Sequence, residues 1–308
     1  MKKAEYILLL LLSNLTFGNT IDDLKTTKQV ENFIKTVNKD FAKVRLDFDR
    51  ANFRIESVDS IYSNIKCGEI FKSSEIKNWE KIDINNDGLT DLLFIPHYFG
   101  YSQYVIIDRG NESFQLIRLI DDFDSCEFIK PIKVENKNQM WIRKVIMHPF
   151  GYIRKNSEVE NVKIDTLTFK YNSFIELNNK KLKKLKIVSI EVKTSGCFGT
   201  CPVLELKLDK NGKAEFTGLG YTKFIGKSTS TIDLTKMNEI MELINYIEIK
   251  KLKDEYSVNW TDDMTINLKI KFKDGSVKEI KDYGLRGTFG LTALYNKLIK
   301  IGSETEWK

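Results

Sequence analysis

The residues whose types and spacing are best suited to chemistry lie in the segment 83–91, which has the sequence Asp-Ile-Asn-Asn-Asp-Gly-Leu-Thr-Asp. Oxygen ligands can come from the side chains of Asp83, Asn85, Asp87 and Asp91 and from the backbone carbonyl of Leu89. Ca²⁺ is a hard cation that takes roughly six to eight oxygen ligands, and alternate residues of a tight loop can aim their oxygens at one point. The segment therefore predicts a calcium site.

The loop differs from an EF-hand, because Phe94 stands where an EF-hand has its bidentate glutamate. Residues 92–95 predict a strand, and residues 79–120 resemble the strand-flanked calcium loops of FG-GAP or VCBS-type repeats. One copy is too few for the β-propeller of those families, so the propeller is not carried over. A bound calcium ion is expected to be structural, because no set of catalytic residues lies nearby in the sequence. The alternative is a polar turn that binds no metal, because Asn-Asp-Gly is itself a strong turn sequence.

The four cysteines allow three pairings. We expect one bridge in each half of the chain, Cys67 with Cys126 and Cys197 with Cys201. A metal site is less favoured, because the chain has two histidines, both distant in sequence. Cys197 and Cys201 could also form a redox pair, but their spacing is one residue longer than Cys-x-x-Cys and strands are predicted on both sides. A structural clip is the favoured interpretation.

A glycine-rich segment near the C-terminus contains Asp282, Tyr283 and Arg286. It could form a binding loop in which Arg286 contacts an anion. The alternative, which we favour, is that its glycines only shape the turn before the last helix. The sequence has no nucleophile elbow, P-loop or dinucleotide fingerprint, so no catalytic residue is predicted.

The elements that must position these residues differ between the two halves. Residues 26–44 predict an amphipathic helix, which Thr26 and Gln29 begin with a capping box. Short apolar runs separated by polar turns follow as far as residue 177, and they predict antiparallel strands. Residues 178–186 are polar and basic and form the best boundary. Their lysines favour a solvated linker, with a contact to anionic lipid or polysaccharide as the alternative.

The second half predicts strands, a helix, a hairpin and a closing helix. The strands are expected at 188–192, 203–208, 213–217, 221–225, 265–272 and 277–282. Thr235 is expected to cap the first helix, and the closing helix is expected to span 291–301 with Gly302 just past its end. Gly212 can adopt a positive φ in the first hairpin turn. The expected fold class is α+β, with two domains at residues 19–178 and 187–308. Each is expected to be a mainly antiparallel sheet with packed helices.

Residues 195–202, Ser-Gly-Cys-Phe-Gly-Thr-Cys-Pro, resemble the hallmark turn of a bacterial domain family of unknown function. Further matches are the strand 212–216, the acidic pair Asp262 and Asp263, and the segment 282–291. The resemblance covers about residues 187–308. It implies a fold domain and an envelope or secreted setting, and it implies no reaction.

The N-terminus predicts export. Lys2 and Lys3 precede a short leucine-rich run, and Thr16 and Gly18 supply the small residues of a cleavage site. Residues 1–18 are therefore predicted to be a signal peptide. The alternative is a buried N-terminal helix. The run is shorter than the roughly 20 residues of a membrane span, so an integral membrane protein is not expected. We expect a periplasmic or extracellular protein, in which disulfides can form.

Composition and charge exclude some classes of function, but they do not identify a particular activity. Hydrophobic residues make up 42% of the chain, which is enough for packed cores, and the net charge of +6 is modest and interspersed. No basic and aromatic pattern typical of nucleic-acid binding is present. We therefore expect a non-enzymatic binding or interaction protein, stabilised by calcium, whose partner is another envelope protein or a surface polysaccharide. The alternative is an envelope enzyme of hydrolytic or thiol-redox type.

Overall fold

The fold is given by a computed structural model, which describes residues 21–46, 49–120, 126–145, 154–155, 158–159 and 162–307. The predicted signal peptide, residues 1–18, lies outside the described residues. Across these residues the protein is mostly antiparallel β-sheet with a few helices. This confirms the coarse part of the predicted α+β class. The division into two domains stays a prediction.

Five α-helices are described: α1 (Thr27–Val37), α2 (Val58–Asn64), α3 (Gly68–Ser73), α4 (Leu234–Tyr246) and α5 (Phe289–Glu304). The first-half strands are β1 (Trp79–Ile82), β2 (Asp91–Phe94), β3 (Gln103–Asp108), β4 (Phe114–Ile120), β5 (Phe128–Val134), β6 (Lys137–Val145), β7 (Arg154–Lys155), β8 (Glu158–Val159), β9 (Val162–Lys170) and β10 (Ser173–Glu176). The second-half strands are β11 (Ile187–Thr194), β12 (Val203–Asp209), β13 (Lys213–Gly220), β14 (Gly226–Thr231), β15 (Glu255–Tyr256), β16 (Thr265–Phe272) and β17 (Val277–Tyr283).

The strands form two four-stranded sheets, one seven-stranded sheet and the small β7–β8 pair. The first sheet has the order β1-β2-β3-β4, and the second has the order β10-β9-β6-β5. The third has the order β14-β13-β12-β11-β16-β17-β15, and its one parallel pair is β15 with β17. The second half thus contributes a single sheet, whose two ends carry separate sets of loops.

Helix α1 covers one face of the first sheet. Thr26 and Gln29 form the predicted capping box at its start, and the buried side chains of Val30 and Ile34 pack toward Leu92. The helix ends at Val37, earlier than the periodicity predicted, because Asn38 is extended and caps a short 3-10 helix with its side chain. The opposite face of the first sheet packs on α2, α3 and the second sheet.

The seven-stranded sheet buries one face under α4 and α5. Its other face is open, and its charges alternate in sign across five strands. The neighbours along one row are Glu215, Lys207, Glu191, Lys269 and Glu279. Opposite charges facing each other across strands stabilise a sheet by roughly 0.2–1 kcal/mol per pair. The open face is therefore a solvated surface on which positive and negative side chains along this row compensate each other.

Three local predictions for the second half were wrong. Residues 221–225 form a turn, and the strand begins at Gly226 because that residue pairs with Gly218. Asp233 caps α4, since its side chain accepts from the backbone N–H groups of Thr235 and Lys236. Gly302 lies inside α5 and not after it. A Cβ there would lie 2.8 Å from the Phe216 ring, so the glycine permits close packing of helix on sheet.

The first turn of α5 is held by a carboxylate from the second sheet. Glu176 accepts from the backbone N–H groups of Phe289, at 2.8 Å, and Gly290, at 2.9 Å. Thr288 caps the same turn by accepting from Leu291 at 3.1 Å. These N–H groups have no partner inside the helix, and the helix dipole favours a negative charge beside them. Glu176 therefore ties the second sheet to the start of α5.

We expect Glu176→Gln to lower the free energy of unfolding by about 1–2 kcal/mol, because one carboxylate oxygen is replaced by an NH₂ group that faces a donor. Urea unfolding measures the change. Glu304→Gln is the matched control, since Glu304 is exposed in the last turn of the same helix. An equal loss in both variants would contradict this role of Glu176.

Candidate functional site

The predicted binding loop, around Asp282 and Arg286, lies at the junction between the second and third sheets. Asp282 is fully buried at the end of β17. Its carboxylate accepts from the backbone N–H groups of Arg286, at 2.8 Å, and Gly287, at 3.0 Å. Burial raises the pKa of Asp282, and the two N–H groups act in the opposite direction. Asp282 therefore folds residues 282–287 into a tight turn.

Only glycine fits at position 287, because the backbone there lies close to the side chains of Asp282 and Leu291. A Cβ at Gly287 would lie 2.7 Å from an Asp282 carboxylate oxygen and 2.7 Å from a Leu291 methyl carbon. Real Cβ atoms do not approach so closely, so any larger residue would push the carboxylate or the first turn of α5 aside. This glycine shapes the turn before the last helix.

Arg286 is used inside the protein. Its guanidinium donates to a Glu127 carboxylate oxygen at 2.8 Å and to the carbonyl of Val145 at 3.3 Å. Glu127 is buried, and the same oxygen accepts from the backbone N–H of Val145 at 3.0 Å. A buried carboxylate and a largely buried guanidinium compensate each other, and either one alone would be costly. Arg286 therefore joins the third sheet to the second.

Lys144 and Tyr283 complete the junction. The Lys144 ammonium donates to the carbonyl of Gly287 at 2.7 Å and lies 5.4 Å from the centre of the Phe289 ring. Burial lowers the pKa of Lys144. The Tyr283 hydroxyl accepts from the backbone N–H of Asp263 at 3.3 Å. The three predicted loop residues thus each hold backbone or a neighbouring side chain.

A cleft of about 570 Å³ opens beside this junction. Among the residues that line it are Lys144, Arg286, Phe289, Trp260 and Asp263. Its charged groups are already bonded within the protein: Arg286 to Glu127, Lys144 to a carbonyl, and Asp263 to the Trp260 indole N–H at 2.7 Å. The arrangement positions the two sheets.

The predicted calcium loop has the hydrogen bonding of a polar turn. Asp83 accepts from the backbone N–H groups of Asp87, at 3.1 Å, and Gly88, at 3.0 Å. Asn85 also accepts from the Asp87 N–H, at 3.0 Å, and Asp87 accepts from the Leu89 N–H, at 2.9 Å. Each of these three side chains therefore caps backbone N–H groups of its own loop.

Asp91 differs from the other predicted ligands with charged side chains in that it is fully buried. Its two carboxylate oxygens accept from the backbone N–H groups of Ile84 and Asp108, each at 2.9 Å, so it joins the loop to β3. Burial raises its pKa to about 7. Within the described ranges, no group of three acidic, cysteine or histidine side chains converges to hold a metal. Calcium binding by this loop stays a prediction.

The same loop fastens the first sheet to the second. The Asn86 side-chain amide exchanges two hydrogen bonds with the Asn138 backbone, of 2.7 and 2.8 Å. The Asn138 side chain donates to the carbonyl of Asp83 at 2.6 Å. Asn86 has a positive φ of 61°, which asparagine tolerates better than most residues. Asn86 and Asn138 were not predicted from the sequence, because their pairing joins the β1–β2 loop to a strand of another sheet.

The expected cysteine pairs lie at disulfide distance. The Cα atoms of Cys67 and Cys126 are 5.5 Å apart, and those of Cys197 and Cys201 are 5.7 Å apart. The first pair is buried and links the start of α3 to the segment before β5. The second pair closes an exposed turn between β11 and β12. Neither cysteine of that pair lies at a helix N-terminus, so the turn lacks the usual setting of a catalytic thiol.

Large apolar side chains are exposed at the end of the seven-stranded sheet that carries the Cys197–Cys201 turn. We call this group the aromatic rim, and its members are Phe198, Leu219, Tyr221, Ile225 and Trp260. Phe198, within the disulfide ring, is 92% exposed. Monomeric proteins rarely expose large contiguous apolar patches unless they bind something. The sequence analysis assigned no role to these residues.

Contacts between the three rim loops bring them together. The backbone N–H of Phe198 donates to the carbonyl of Asp262 at 2.7 Å, which joins the disulfide turn to the Trp260 loop. A Cβ at Gly196 or at Gly220 would lie 3.8 Å from Val203, so the turn and the β13–β14 hairpin flank one side chain. The three loops of the rim are therefore neighbours at one end of the sheet.

Comparison with known proteins agrees with the C-terminal resemblance at a coarse level. Residues 188–302 match a family described as a domain of unknown function (DUF6438). This confirms that the C-terminal part is a domain of unknown function. The Cys-Phe-Gly-x-Cys-Pro family and the FG-GAP resemblance stay predictions. No curated protein matches the chain, and no solved structure matches it. None of the helices in the described ranges is both long and apolar enough to cross a membrane.

The two disulfides should differ in their contribution to stability. The Cys67–Cys126 pair spans 59 residues and the Cys197–Cys201 pair spans 4. Loop-closure entropy predicts that replacing both Cys67 and Cys126 by alanine lowers the free energy of unfolding by roughly 4 kcal/mol. Replacing both Cys197 and Cys201 by alanine should lower it by roughly 2 kcal/mol. Urea unfolding of both variants measures this order. A larger loss from the second pair would contradict it.

Proposed function

We propose that this protein is an exported, non-enzymatic interaction protein that binds another envelope protein through the aromatic rim. The observation that carries the proposal is the exposure of Phe198, Tyr221 and Trp260 on three adjoining loops. Aromatic side chains supply large contact areas at low cost in conformational entropy, and they dominate protein interfaces. The disulfide of the Cys197–Cys201 turn holds Phe198 in place before a partner arrives, which lowers the cost of ordering.

The composition of the rim favours a protein partner over a polysaccharide. Leu219 and Ile225 lie in the β13–β14 hairpin beside Tyr221, and both are more than half exposed. Burial of aliphatic side chains against another apolar surface stabilises a complex. A protein partner offers such a surface, whereas a hydrated glycan offers mainly hydroxyl groups. The rim therefore matches the apolar centre of a protein interface.

Export is part of the same proposal and is supported by two features. One is the signal-like N-terminal sequence, and the other is the presence of two cysteine pairs at disulfide distance. Disulfides persist in the periplasm and outside the cell and are rare in the reducing cytoplasm. We do not extend the proposal to catalysis, because Glu127, Asp282 and Arg286 serve the junction turn through hydrogen bonds of their own.

Photo-crosslinking tests the rim directly. Benzoylphenylalanine at position 198 should form a discrete protein adduct in the cells that produce this protein, because the side chain there would lie in the interface. Trp260→Ser in the same chain should reduce the adduct several-fold, since central aromatic residues carry most interface energy. Position 46 is the matched control, because Leu46 is 93% exposed and lies far along the chain from the rim.

Three outcomes would contradict the rim proposal. The first is the same adducts at positions 46 and 198, which would indicate indiscriminate contact. The second is an adduct at position 198 that Trp260→Ser leaves unchanged. The third is crosslinking of position 198 to glycan only, which would favour the polysaccharide partner.

Calcium is the second component of the proposal. We propose that Asp83, Asn85 and Asp87 rearrange from their own backbone N–H groups onto Ca²⁺, which would brace the loop that joins the first two sheets. Titration of Ca²⁺ into the chelator-treated protein should then give saturable heat and a raised melting temperature, because a ligand of the folded state stabilises it. Asp87→Ala should abolish both effects.

A second turn of the chain provides the control for this titration. Asp209 accepts from the backbone N–H groups of Asn211 and Lys213, at 2.8 and 2.9 Å, in the same manner as the aspartates of the calcium loop. Asp209→Ala should therefore retain the calcium heat. An absence of heat in the unaltered protein, or its loss in both variants, would reduce residues 83–91 to a turn.

A further inference from the structure

A group of lysines converges at the end of the seven-stranded sheet opposite the rim. We call it the lysine basin, and its members are Lys183, Lys184, Lys186, Lys250 and Lys273. They line a depression of about 440 Å³ together with Leu185, Phe272 and Asp274. From the sequence alone, the basic run 180–186 is predicted to be a solvated linker. The fold adds Lys250 and Lys273, which the run could not predict.

Hydrogen bonds hold the run against the sheet. The backbone N–H of Leu185 donates to the Asn245 side chain at 2.6 Å, and the N–H of Lys273 donates to the carbonyl of Lys186 at 2.7 Å. Lys250 stands 4.2 Å from the centre of the Phe272 ring. Residues 183–186 are therefore a fixed wall of the depression and not a free linker.

The basin carries excess positive charge. Asp274 is the only carboxylate among its lining residues, and Lys250 pairs with it at 3.0 Å. Hydrogen bonds from Ser276 and Lys250 lower the pKa of Asp274 to about 2, so it stays charged. Lys183, Lys184, Lys186 and Lys273 are exposed, and none has an ion-pair partner within the described part of the chain. Four lysines therefore remain uncompensated in one depression.

The lysines on the open face of the same sheet provide a contrast. Lys193 pairs with Glu205 at 2.8 Å, Lys269 with Glu279 at 2.5 Å, and Lys271 with Glu191 at 3.6 Å. That face has a carboxylate for each of these ammonium groups. Excess charge is thus concentrated at the basin, where it attracts anions more strongly than the open face does.

We propose that the lysine basin binds an anionic polysaccharide, whose carboxylate, sulfate or phosphate groups pair with the four uncompensated lysines. A linear charged glycan can lie in a depression and meet lysines from separate segments, whereas a membrane meets a flat surface. Phe272 is 4% exposed and Leu185 is half-buried, so neither offers a side chain to insert into lipid. The lining also has no exposed aromatic ring on which nucleic-acid bases could stack.

The basin and the rim are far enough apart to act independently. Strand β11 starts beside the basin at Ile187 and ends at Thr194, next to the disulfide turn. At ~3.3 Å per residue its eight residues span ~25 Å. A glycan in the basin would leave Phe198 free, so one chain could hold an envelope protein and a surface polymer at the same time.

Calorimetric titration of a short heparin oligosaccharide into the full protein tests the basin, with neutral dextran as the blank. We expect saturable binding that weakens as salt is raised from about 0.05 M to about 0.15 M, because screening shortens the reach of exposed charges. The variant K183Q/K184Q/K273Q should bind about ten-fold more weakly, since three of the four uncompensated cations are gone. The control K133Q/K137Q/K227Q removes the same charge from exposed lysines away from the basin and should change affinity less than about two-fold.

Three results would overturn the proposal. Equal weakening by the two triple variants would show that net charge alone attracts heparin. Absence of heat with heparin would show that the basin holds no glycan. Binding to vesicles that contain anionic phospholipid, with no response to heparin, would assign the basin to a membrane surface. Loss of crosslinking at position 198 bears only on the rim, so the two proposals fail separately.

Discussion

The arrangement of the second and third sheets depends on one largely buried ion pair, between Arg286 and Glu127. Glu127 precedes β5 in the second sheet, and Arg286 follows β17 in the third. Asp282 fixes the backbone that carries Arg286, and Glu176 fixes the start of the helix that follows it. Removing either charge would leave the other buried without its opposite charge, which commonly costs several kcal/mol. The pair therefore sets how the second half lies on the first.

This constraint explains where binding surfaces can lie. The junction loop uses its charges to hold the fold, and the open face of the large sheet pairs Lys193, Lys269 and Lys271 with glutamates. The two proposed binding surfaces lie at the two ends of the seven-stranded sheet. Exposed aromatic side chains mark one end and unpaired lysines mark the other. A rigid sheet that presents unlike surfaces at its two ends suits a protein that links two partners.

Local features were predictable from the sequence and distant pairings were not. The capping box of Thr26 and Gln29, the positive φ of Gly212 and the strand 265–272 follow from short-range rules, and the structure has each of them. Arg286 and Glu127 stand 159 residues apart, and no periodicity connects them. Lys250 likewise joins the run 183–186 only because α4 and the strand pairing bring it there. Such contacts depend on tertiary packing, which cannot be predicted from the composition of the chain or from the spacing of residues along it.

A double-mutant cycle on Glu127→Gln and Arg286→Gln tests the central claim most directly. The free energies of unfolding of the unaltered protein, the two single variants and the double variant are measured in urea. We predict that the double variant loses less than the sum of the single losses, with a coupling energy of about 1–3 kcal/mol, because each single change strands a buried charge. Additive losses, within about 0.5 kcal/mol, would show that the pair does not hold the sheets together.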